Sequence, residues 1–236
     1  MRPVSESLEN FYKIEVTPNS VEVMYLGYSG ILLRTVKHVL AFDVDELISK
    51  KDVKNIKKLD VLLFTHGHYD HFEKKVTVEL YKKTEAKVVC EEAVYNKLKK
   101  SIPETHLIKV TPGSVINVNE VSVEAIKGRH VGPIILYLIE VDGIKIFHGG
   151  DSDYVPLYPR RANIAIVPTG TPSPTASPDA AYRMVVDLRP NIAIPVHGKE
   201  SQHMEFEEKV KKYYPETKVV ILELLKPTFI SLGEGE

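Results

Sequence analysis

One short segment of the chain carries most of its metal-ligand chemistry. Three histidines and one aspartate fall within six positions, as His66, His68, Asp70 and His71. A continuous apolar run, Val61–Phe64, comes directly before them and predicts a buried strand. The ligand-type residues therefore begin where a strand ends, which is a common position for functional loops. Imidazole and carboxylate together favour a hydrolytic metal centre over a purely structural one.

The spacing within this segment allows two metal positions. If the chain stays extended after the strand, alternation places His66 and His68 on the same side. Asp70 and His71 follow after a bend and reach a second point in space. A polar surface turn is the alternative, but it does not explain such a dense set of ligand-type side chains behind an apolar strand.

Three further candidate ligands lie at the ends of later strand-like segments. They are His130, in Gly-Arg-His-Val-Gly, Asp151, after an apolar run, and His197, in Pro-Val-His-Gly. Each one alone would be a weak signal, because a lone histidine is more often a hydrogen-bonded structural residue. Together with the first segment, they complete a ligand set for two metals.

In this order, the motifs resemble those of the metallo-β-lactamase-fold hydrolases. The family's His-x-His-x-Asp-His motif is present without change from His66 to His71. The later histidine, the Gly-Asp motif and the final histidine of the family match His130, Asp151 and His197. The resemblance covers most of the chain, and its layout is most similar to the broad subgroup that includes ascorbate-6-phosphate lactonase-like proteins.

The resemblance implies two metal sites that share one carboxylate. Three histidines would hold the first metal: His66, His68 and His130. An aspartate and two histidines would hold the second: Asp70, His71 and His197. Asp151 would bridge the metals opposite a bridging hydroxide, which would be the nucleophile. Asp70 and Asp151 are the predicted catalytic residues, and Zn²⁺ is the expected ion, with Mn²⁺ and Fe²⁺ also compatible with these ligands.

Three other residues near the motifs have open interpretations. Asp43 matches the family's aspartate at the end of an early strand and is expected to orient ligand histidines, although the usual proline does not follow it. His148 either orients Asp151 or is a structural histidine at a strand end. Tyr28 either donates to a substrate oxygen or, as the favoured interpretation, is a plain turn residue.

Three cationic or titratable residues flank the ligand positions: Arg129, Lys199 and His203. Each is a candidate for binding an anionic tail of a substrate. For each one taken alone, solvation at the surface is the simpler interpretation.

The composition limits the classes of protein to be considered. With 236 residues and 43% hydrophobic content, the chain fits one domain over residues 1–236. A formal net charge of −1 gives no basic field for nucleic acid or an anionic membrane. No apolar run approaches a membrane span, and residues 1–20 do not resemble a secretory signal. Cys90 is the only cysteine and is expected to be a buried, inert thiol, so the cytoplasm is the expected location.

The hydrophobic pattern predicts an α/β fold in which both halves contribute a sheet. The predicted strands are Val21–Leu26, Ile31–Arg34, Val39–Val44, Val61–Phe64, Lys87–Cys90, His106–Val110, Val115–Val118, Val121–Ile126, Ile134–Val141, Ile144–His148, Ile164–Val167, Ile192–Val196 and Val219–Leu222. The predicted helices are Phe72–Thr84, Glu91–Lys100, Pro178–Leu188 and Glu205–Tyr214. Two mixed sheets packed face to face with helices outside satisfy this pattern. The resemblance implies the same four-layer αβ/βα sandwich, with the metals at one edge between the sheets.

The charge of the predicted centre indicates a class of substrate. Two divalent ions, two aspartates and a hydroxide leave a net charge of about +1, which favours anionic substrates or those that develop an oxyanion. The leading hypothesis is hydrolysis of a small ester, lactone or phosphodiester. The expected partner is a small molecule rather than nucleic acid or a membrane, and the sequence indicates no oligomeric state.

Three alternatives remain open. Nucleases share this fold, but the chain has neither the large inserted domain nor the basic arm of those members. Di-iron oxidoreductases of the fold replace the second histidine of the motif with glutamate, whereas His68 is present here. A non-enzymatic metal-binding or sensing protein is the third alternative, because ligands indicate metal capacity and not turnover.

Overall fold

Two seven-stranded mixed sheets and five helices form the part of the chain that the structure describes, residues 4–171 and 175–233 of a computed structural model. The helices are α1 (Val4–Phe11), α2 (Lys74–Thr84), α3 (Glu92–Leu98), α4 (Pro178–Leu188) and α5 (Glu200–Tyr213). The strands are β1 (Ser20–Gly27), β2 (Gly30–Arg34), β3 (Val39–Phe42), β4 (Val61–Phe64), β5 (Lys87–Cys90), β6 (Leu107–Lys109), β7 (Val115–Val118), β8 (Val121–Lys127), β9 (Ile135–Val141), β10 (Ile144–His148), β11 (Ile164–Pro168), β12 (Ile192–Val196), β13 (Lys218–Val219) and β14 (Thr228–Ser231). The single domain predicted over residues 1–236 extends beyond these described residues and stays a prediction.

The strand order gives each sheet an antiparallel part and a parallel part. The first sheet has the order β14-β1-β2-β3-β4-β5-β6, and the second has the order β13-β12-β11-β10-β9-β8-β7. In the first sheet β3 to β6 are parallel, and in the second β10 to β13 are parallel. Both sheets are therefore mixed, as predicted.

Alternation along the strands explains the four layers. In β4, Val61 and Leu63 belong to the core between the sheets, whereas Leu62 and Phe64 pack under the helices of the first sheet. The inner core takes residues from both sheets, and a third cluster packs α4 and α5 onto the outer face of the second sheet. A strand that is buried on both faces must be apolar throughout, which is why its run is continuous. The predicted αβ/βα sandwich is confirmed.

Most predicted elements lie where the sequence indicated. The adjacent predicted strands Ile134–Val141 and Ile144–His148 form β9 and β10, which pair as a hairpin across Asp142-Gly143 with positive φ at both turn residues (48° and 79°). Helix α4 spans Pro178–Leu188 as predicted, and the Ser177 hydroxyl caps it by accepting from the Ala180 N–H at 3.1 Å. The predicted strand over 39–44 ends at Phe42 instead, because Asp43 adopts a left-handed φ of 46°.

Three other predictions needed correction, and two elements were missed. The second helix begins at Lys74 and not Phe72, since Glu73 is its N-cap and accepts from Val76. Helix α5 begins at Glu200, five residues before its predicted start. The last predicted strand, 219–222, pairs only over Lys218–Val219, and two elements, α1 and β14, were not predicted.

The parallel strands carry their carboxyl ends to one edge of the sandwich. The loops that follow β3, β4, β10 and β12 all leave from this edge. Among the described residues, no helix has both the length and the apolar character needed to cross a membrane.

Candidate metal centre

All seven predicted ligands come together at the edge of the sandwich where the parallel strands end. The loop after β4 supplies four of them, and the loops after β8, β10 and β12 supply one each. Their ligand atoms form three overlapping groups, and within each group all atoms lie within 4.8 Å of one another. The groups are His66, His68 and His130; His66, His71 and Asp151; and Asp70, His71 and His197. The structure therefore brings together every candidate ligand that the sequence indicated.

The first group, which we call the three-histidine group, consists of His66, His68 and His130. The Nδ1 atom of His68 lies 3.0 Å from Nε2 of His66 and 3.2 Å from Nε2 of His130. Ring nitrogens of different chain segments thus point at one small volume. Neutral imidazole nitrogens in such an arrangement are typical zinc ligands.

The second group, which we call the mixed group, consists of Asp70, His71 and His197. The Oδ2 atom of Asp70 lies 3.8 Å from Nε2 of His71 and 3.7 Å from Nε2 of His197. His71 is fully buried, whereas the side chains of Asp70 and His197 keep 16% and 11% of their surface exposed. The mixed group therefore opens to solvent on one side.

Asp151 lies between the two groups. Its Oδ2 is 3.5 Å from Nε2 of His130 and 3.7 Å from Nε2 of His71, and its Oδ1 is 3.6 Å from Nε2 of His197. One carboxylate therefore faces ligand atoms of both groups. This is the placement that a bridging ligand requires, although the role itself stays a prediction.

Unpartnered buried atoms test whether these residues fit a metal. Nε2 of His71, Oδ1 of Asp151 and Nε2 of His197 are buried and have no hydrogen-bond partner among the described residues. Leaving a polar atom buried in this way costs about 1–3 kcal/mol, and native proteins rarely do so without a reason. Because the three atoms converge on one space, a cation would satisfy them together. The donor set fits divalent metal ions.

The pKa values differ between the two groups. Burial, with the neighbouring charge of His71, lowers the pKa of His66 to about 2, and burial also lowers the pKa of His68. These imidazoles are neutral and keep the lone pair that a metal needs. Burial also lowers the pKa of His71, but the carboxylates of Asp151 and Asp43 outweigh it and raise this pKa to about 10. Without a metal, a proton on His71 offsets the negative charge that surrounds it.

Asp43 supports the centre from behind, as the sequence predicted. Its Oδ2 lies 3.0 Å from Nδ1 of His71, so Nε2 of that ring is left to face the ligand space. Thr65 holds the carboxylate in place, donating from its N–H at 2.8 Å and from its hydroxyl at 2.7 Å. The same hydroxyl lies 3.1 Å from Nδ1 of His66. One buried Asp–Thr pair therefore orients a ligand in each group.

A second support comes from the β1–β2 turn, where the sequence indicated a possible role for the Tyr28 side chain but not the contacts that the turn makes with the ligand loops. The Tyr28 carbonyl accepts from the backbone N–H of His197 at 2.8 Å. The Ser29 hydroxyl donates to the Gly150 carbonyl at 2.8 Å. These contacts link residues more than a hundred positions apart, so no local pattern could have revealed them. They fix two ligand-bearing loops of the second sheet to the first sheet.

His148 completes this support and corrects one hypothesis. Its Nδ1 accepts from the Gly150 N–H at 3.2 Å, so its Nε2 donates to the Ser29 carbonyl at 2.9 Å. The ring is fully buried and stacks on Phe42 at 4.5 Å. His148 therefore orients the turn before Asp151 and not the carboxylate itself. Gly150 has a φ of 55°, and a Cβ there would lie 2.8 Å from Thr65, so this turn requires glycine.

The remaining candidates separate clearly. Arg129 forms an ion pair with Asp153, and His203 lies within α5 on its buried face. Lys199 is exposed at the start of α5 and lines a cleft together with Tyr28. Cys90 is fully buried, and burial raises the pKa of its thiol, in agreement with the prediction of an inert residue.

Comparison with known proteins agrees with this geometry. The family model of the β-lactamase superfamily domain matches residues 39–198. A UPF0173 metal-dependent hydrolase of Thermoplasma acidophilum is 31% identical to this chain over 195 residues, which cover 75% of this chain and 83% of that protein. The family match at residues 39–198 includes all seven candidate ligands.

Two solved structures share the fold. Igni18, a metallo hydrolase from the archaeon Ignicoccus hospitalis, matches with a TM-score of 0.75 and 20% identity, covering 89% of this chain and 98% of that one. The metallo-β-lactamase fold protein YhfI from Bacillus subtilis matches with a TM-score of 0.70 and 16% identity, covering 90% of this chain and 100% of that one. At these identities the likeness shows the fold alone.

Proposed function

The chain belongs to the metallo-β-lactamase superfamily as a metal-dependent hydrolase, and we propose that it uses two metal ions to cleave an ester, lactone or phosphodiester bond in a small, anionic molecule. The observation that carries the proposal is the placement of Asp151. Its Oδ2 lies 3.5 Å from Nε2 of His130 in the three-histidine group and 3.7 Å from Nε2 of His71 in the mixed group, and its Oδ1 lies 3.6 Å from Nε2 of His197.

Each group would hold one ion, and Asp151 would contact both. When bound, two divalent ions lower the pKa of a water molecule and polarise the oxygen of the bond under attack. Zn²⁺ suits the imidazole-rich ligands, and Mn²⁺ or Fe²⁺ are compatible with the carboxylates. We propose Zn²⁺ as the native ion on the basis of these ligands, since the relatives indicate only a dependence on metal.

The contribution of the chain itself is to hold these ligands in place before substrate arrives. Asp43 and Thr65 fix the rings of His71 and His66, and the β1–β2 turn fixes the loops of Asp151 and His197. Such preorganisation removes the cost of reorienting ligands during the reaction. The only cysteine is buried, so the chain offers no accessible thiol as a competing nucleophile.

The net charge of the centre and of the chain support a small anionic substrate. Two ions next to Asp70 and Asp151 leave positive charge at the site, whereas the whole chain has a net charge of −1 and no general attraction for polyanions. A nuclease takes much of its affinity from phosphate contacts, so its activity falls steeply with salt. We expect activity here to change little between about 50 mM and 200 mM salt.

The test is a hydrolysis screen of metal-loaded protein against lactones, small phosphodiesters and thioesters, with structured RNA and single-stranded DNA as competitors. His66→Ala should abolish any turnover, while His106→Ala, which removes a histidine at the start of β6, should leave it unchanged. Efficient cleavage of RNA or DNA that His66→Ala abolishes would overturn the small-molecule proposal. A fully metal-loaded protein that hydrolyses none of the small substrates would also contradict it.

A further inference from the structure

We propose that the substrate carries an additional anionic group, a carboxylate or phosphate apart from the bond that is cleaved, and that this group is bound by Lys199 in the cleft at the start of α5. The proposal rests on the proposed function, because the cleft borders the same metal centre. The proposal concerns a part of the substrate that lies outside the metal centre and that the metal ions would not bind.

The cleft is continuous with the mixed group. It has a volume of about 390 Å³, and its walls include Tyr25, Tyr28, Gly170, His197, Lys199 and Gln202. His197 is at once a wall of this cleft and a candidate metal ligand. The ring centroids of Tyr28 and His197 are 5.5 Å apart, so the tyrosine lies beside this candidate ligand in the wall of the cleft. A small molecule at the metals can therefore extend into this cleft without leaving the site.

Lys199 is the cation that is not committed elsewhere. Within residues 4–171 and 175–233, its Nζ makes no ion pair or hydrogen bond, and the residue is exposed. The other cations near the ligands are occupied: Arg129 pairs with Asp153, and Lys97 donates to the Gly67 carbonyl at 2.8 Å. Lys199 also immediately follows Gly198, the residue after the ligand His197. Its charge is therefore available to a ligand in the cleft.

Several other polar groups beside Lys199 in the cleft are donors or already have partners. Lys199 caps α5, and the backbone N–H groups of Glu200 and Ser201 donate to no backbone carbonyl in the part described. The Gln202 amide is committed at both ends, accepting from the Lys199 N–H at 2.9 Å and donating to the Thr171 carbonyl. The Tyr28 carbonyl already accepts from His197 and from the Tyr25 hydroxyl.

Among the described residues, the cleft leaves these donors without a partner: the Lys199 ammonium, the Tyr28 hydroxyl and the first N–H groups of α5. A ligand that matches them must present several acceptor oxygens and negative charge, which describes a carboxylate or a phosphate. The carboxylate of Glu200 is exposed at the same helix start but is not part of the wall. An uncharged tail would leave Lys199 in solvent and gain nothing from it.

Selectivity between matched esters tests the proposal in the metal-loaded protein. The substrates are 4-nitrophenyl butyrate, the mono-4-nitrophenyl ester of glutarate and the same ester ending in a phosphonate. In Lys199→Ala the ratio of kcat/KM for the anionic esters to that for the neutral ester should fall about tenfold or more, mainly through KM, because a hydrogen bond to a charged group is lost. Lys199→Arg should restore most of the ratio.

Lys211→Ala is the matched control, since it removes a lysine from the far end of the same helix. It should leave the ratio unchanged. A ratio in Lys199→Ala equal to that of the wild type would overturn the proposal. Comparison of the carboxylate and phosphonate esters shows which kind of anion the cleft binds. The anion that fits the cleft better should show the larger fall in kcat/KM when Lys199 is replaced by alanine.

A binding measurement separates this proposal from the proposed function. Glutarate and propylphosphonate are titrated into the metal-loaded protein while the amide signals of Gly170 and of residues 199–202 are followed by NMR. Shifts of these signals that Lys199→Ala removes would support the anion site even if no ester is cleaved. The absence of such shifts would overturn it even if the protein proves to be an efficient esterase.

Discussion

Histidine and aspartate side chains lie at both ends of the sandwich, and the two ends use them differently. At the end opposite the centre, Asp142 of the β9–β10 turn accepts from the Thr35 hydroxyl at 2.6 Å and from the Lys37 N–H at 2.9 Å. It also lies 3.2 Å from Nδ1 of His38. At the metal end, Nε2 of His71, Oδ1 of Asp151 and Nε2 of His197 have no hydrogen-bond partner within residues 4–171 and 175–233. The carboxylate at the far end has all its partners within the protein, whereas the atoms at the metal end would need a bound ion to satisfy them.

The difference shows how a site can be distinguished from a structural cluster of the same composition. Burial by itself would raise the pKa of Asp142. The hydrogen bonds from Thr35, Lys37 and His38 outweigh burial and hold this pKa below its ordinary value, so the protein alone stabilises the carboxylate. The metal end keeps several ligands directed at one space. Substitutions at the metal end should therefore change metal content, and substitutions at the far end should change stability.

The largest effect is expected for Asp151→Ala. This change removes the one carboxylate that faces both groups, so at least one metal position should be lost and hydrolysis abolished. Metal content by elemental analysis and turnover of the best substrate are the measurements. Full metal content together with wild-type turnover in this variant would refute the bridging role.

A smaller effect is expected for Asp43→Asn. The amide keeps the shape of the side chain but loses the charge that orients His71 through its Nδ1. Removal of such a supporting contact weakens metal binding by about 10–100-fold. Competition with a chelator measures the affinity, and Asp142→Asn is the matched control. Equal affinities of Asp43→Asn and the wild type would show that the carboxylate is not needed to orient its ligand.

Asp142→Asn itself should affect stability and leave metal content unchanged. The loss of charged hydrogen bonds to Thr35 and Lys37 is expected to reduce the free energy of unfolding by about 1–3 kcal/mol. Because the folded pKa of Asp142 is depressed, its contribution is present above the unfolded pKa and is lost as pH falls through the folded pKa. When unfolding by denaturant is measured as pH falls through the folded pKa of Asp142, the free energy of unfolding of the wild type should therefore approach that of the variant. A constant difference down to the lowest pH would contradict this.

The smallest effect concerns Cys90, which should not react with a thiol reagent in the native protein. Burial raises the pKa of its thiol and keeps the reagent away. Labelling should appear only with denaturant, in parallel with unfolding. Rapid labelling of the native protein would mean that β5 opens locally.

The sequence was sufficient to predict the layers and the set of candidate ligands that the structure brings together. Four of the candidate ligands lie within the six residues from His66 to His71, and each of the other three follows a strand or a strand-like segment that periodicity identifies. The edge strand β14 was missed because it is short and follows Lys226-Pro227, and the first turn of α5 is too polar to show helical periodicity. These elements form through tertiary contacts and not through local preference.

The supporting contacts were beyond reach of the sequence for a different reason. The bonds of Ser29 to Gly150 and of His148 to Ser29 join residues that are 121 and 119 positions apart. Both depend on two sheets meeting at one edge, and backbone carbonyls are half of the partners. The residue types at these positions do not predict such a contact, because it forms only when the two sheets pack together.

The number of metal ions per chain tests the central claim most directly. Protein stripped of metal is reconstituted with zinc, manganese and iron(II) in turn, dialysed to remove unbound ions, and analysed for metal against protein concentration. The two groups and the shared Asp151 predict close to two ions per chain for at least one of these metals. Less than one ion per chain with all three metals at saturation would contradict the account.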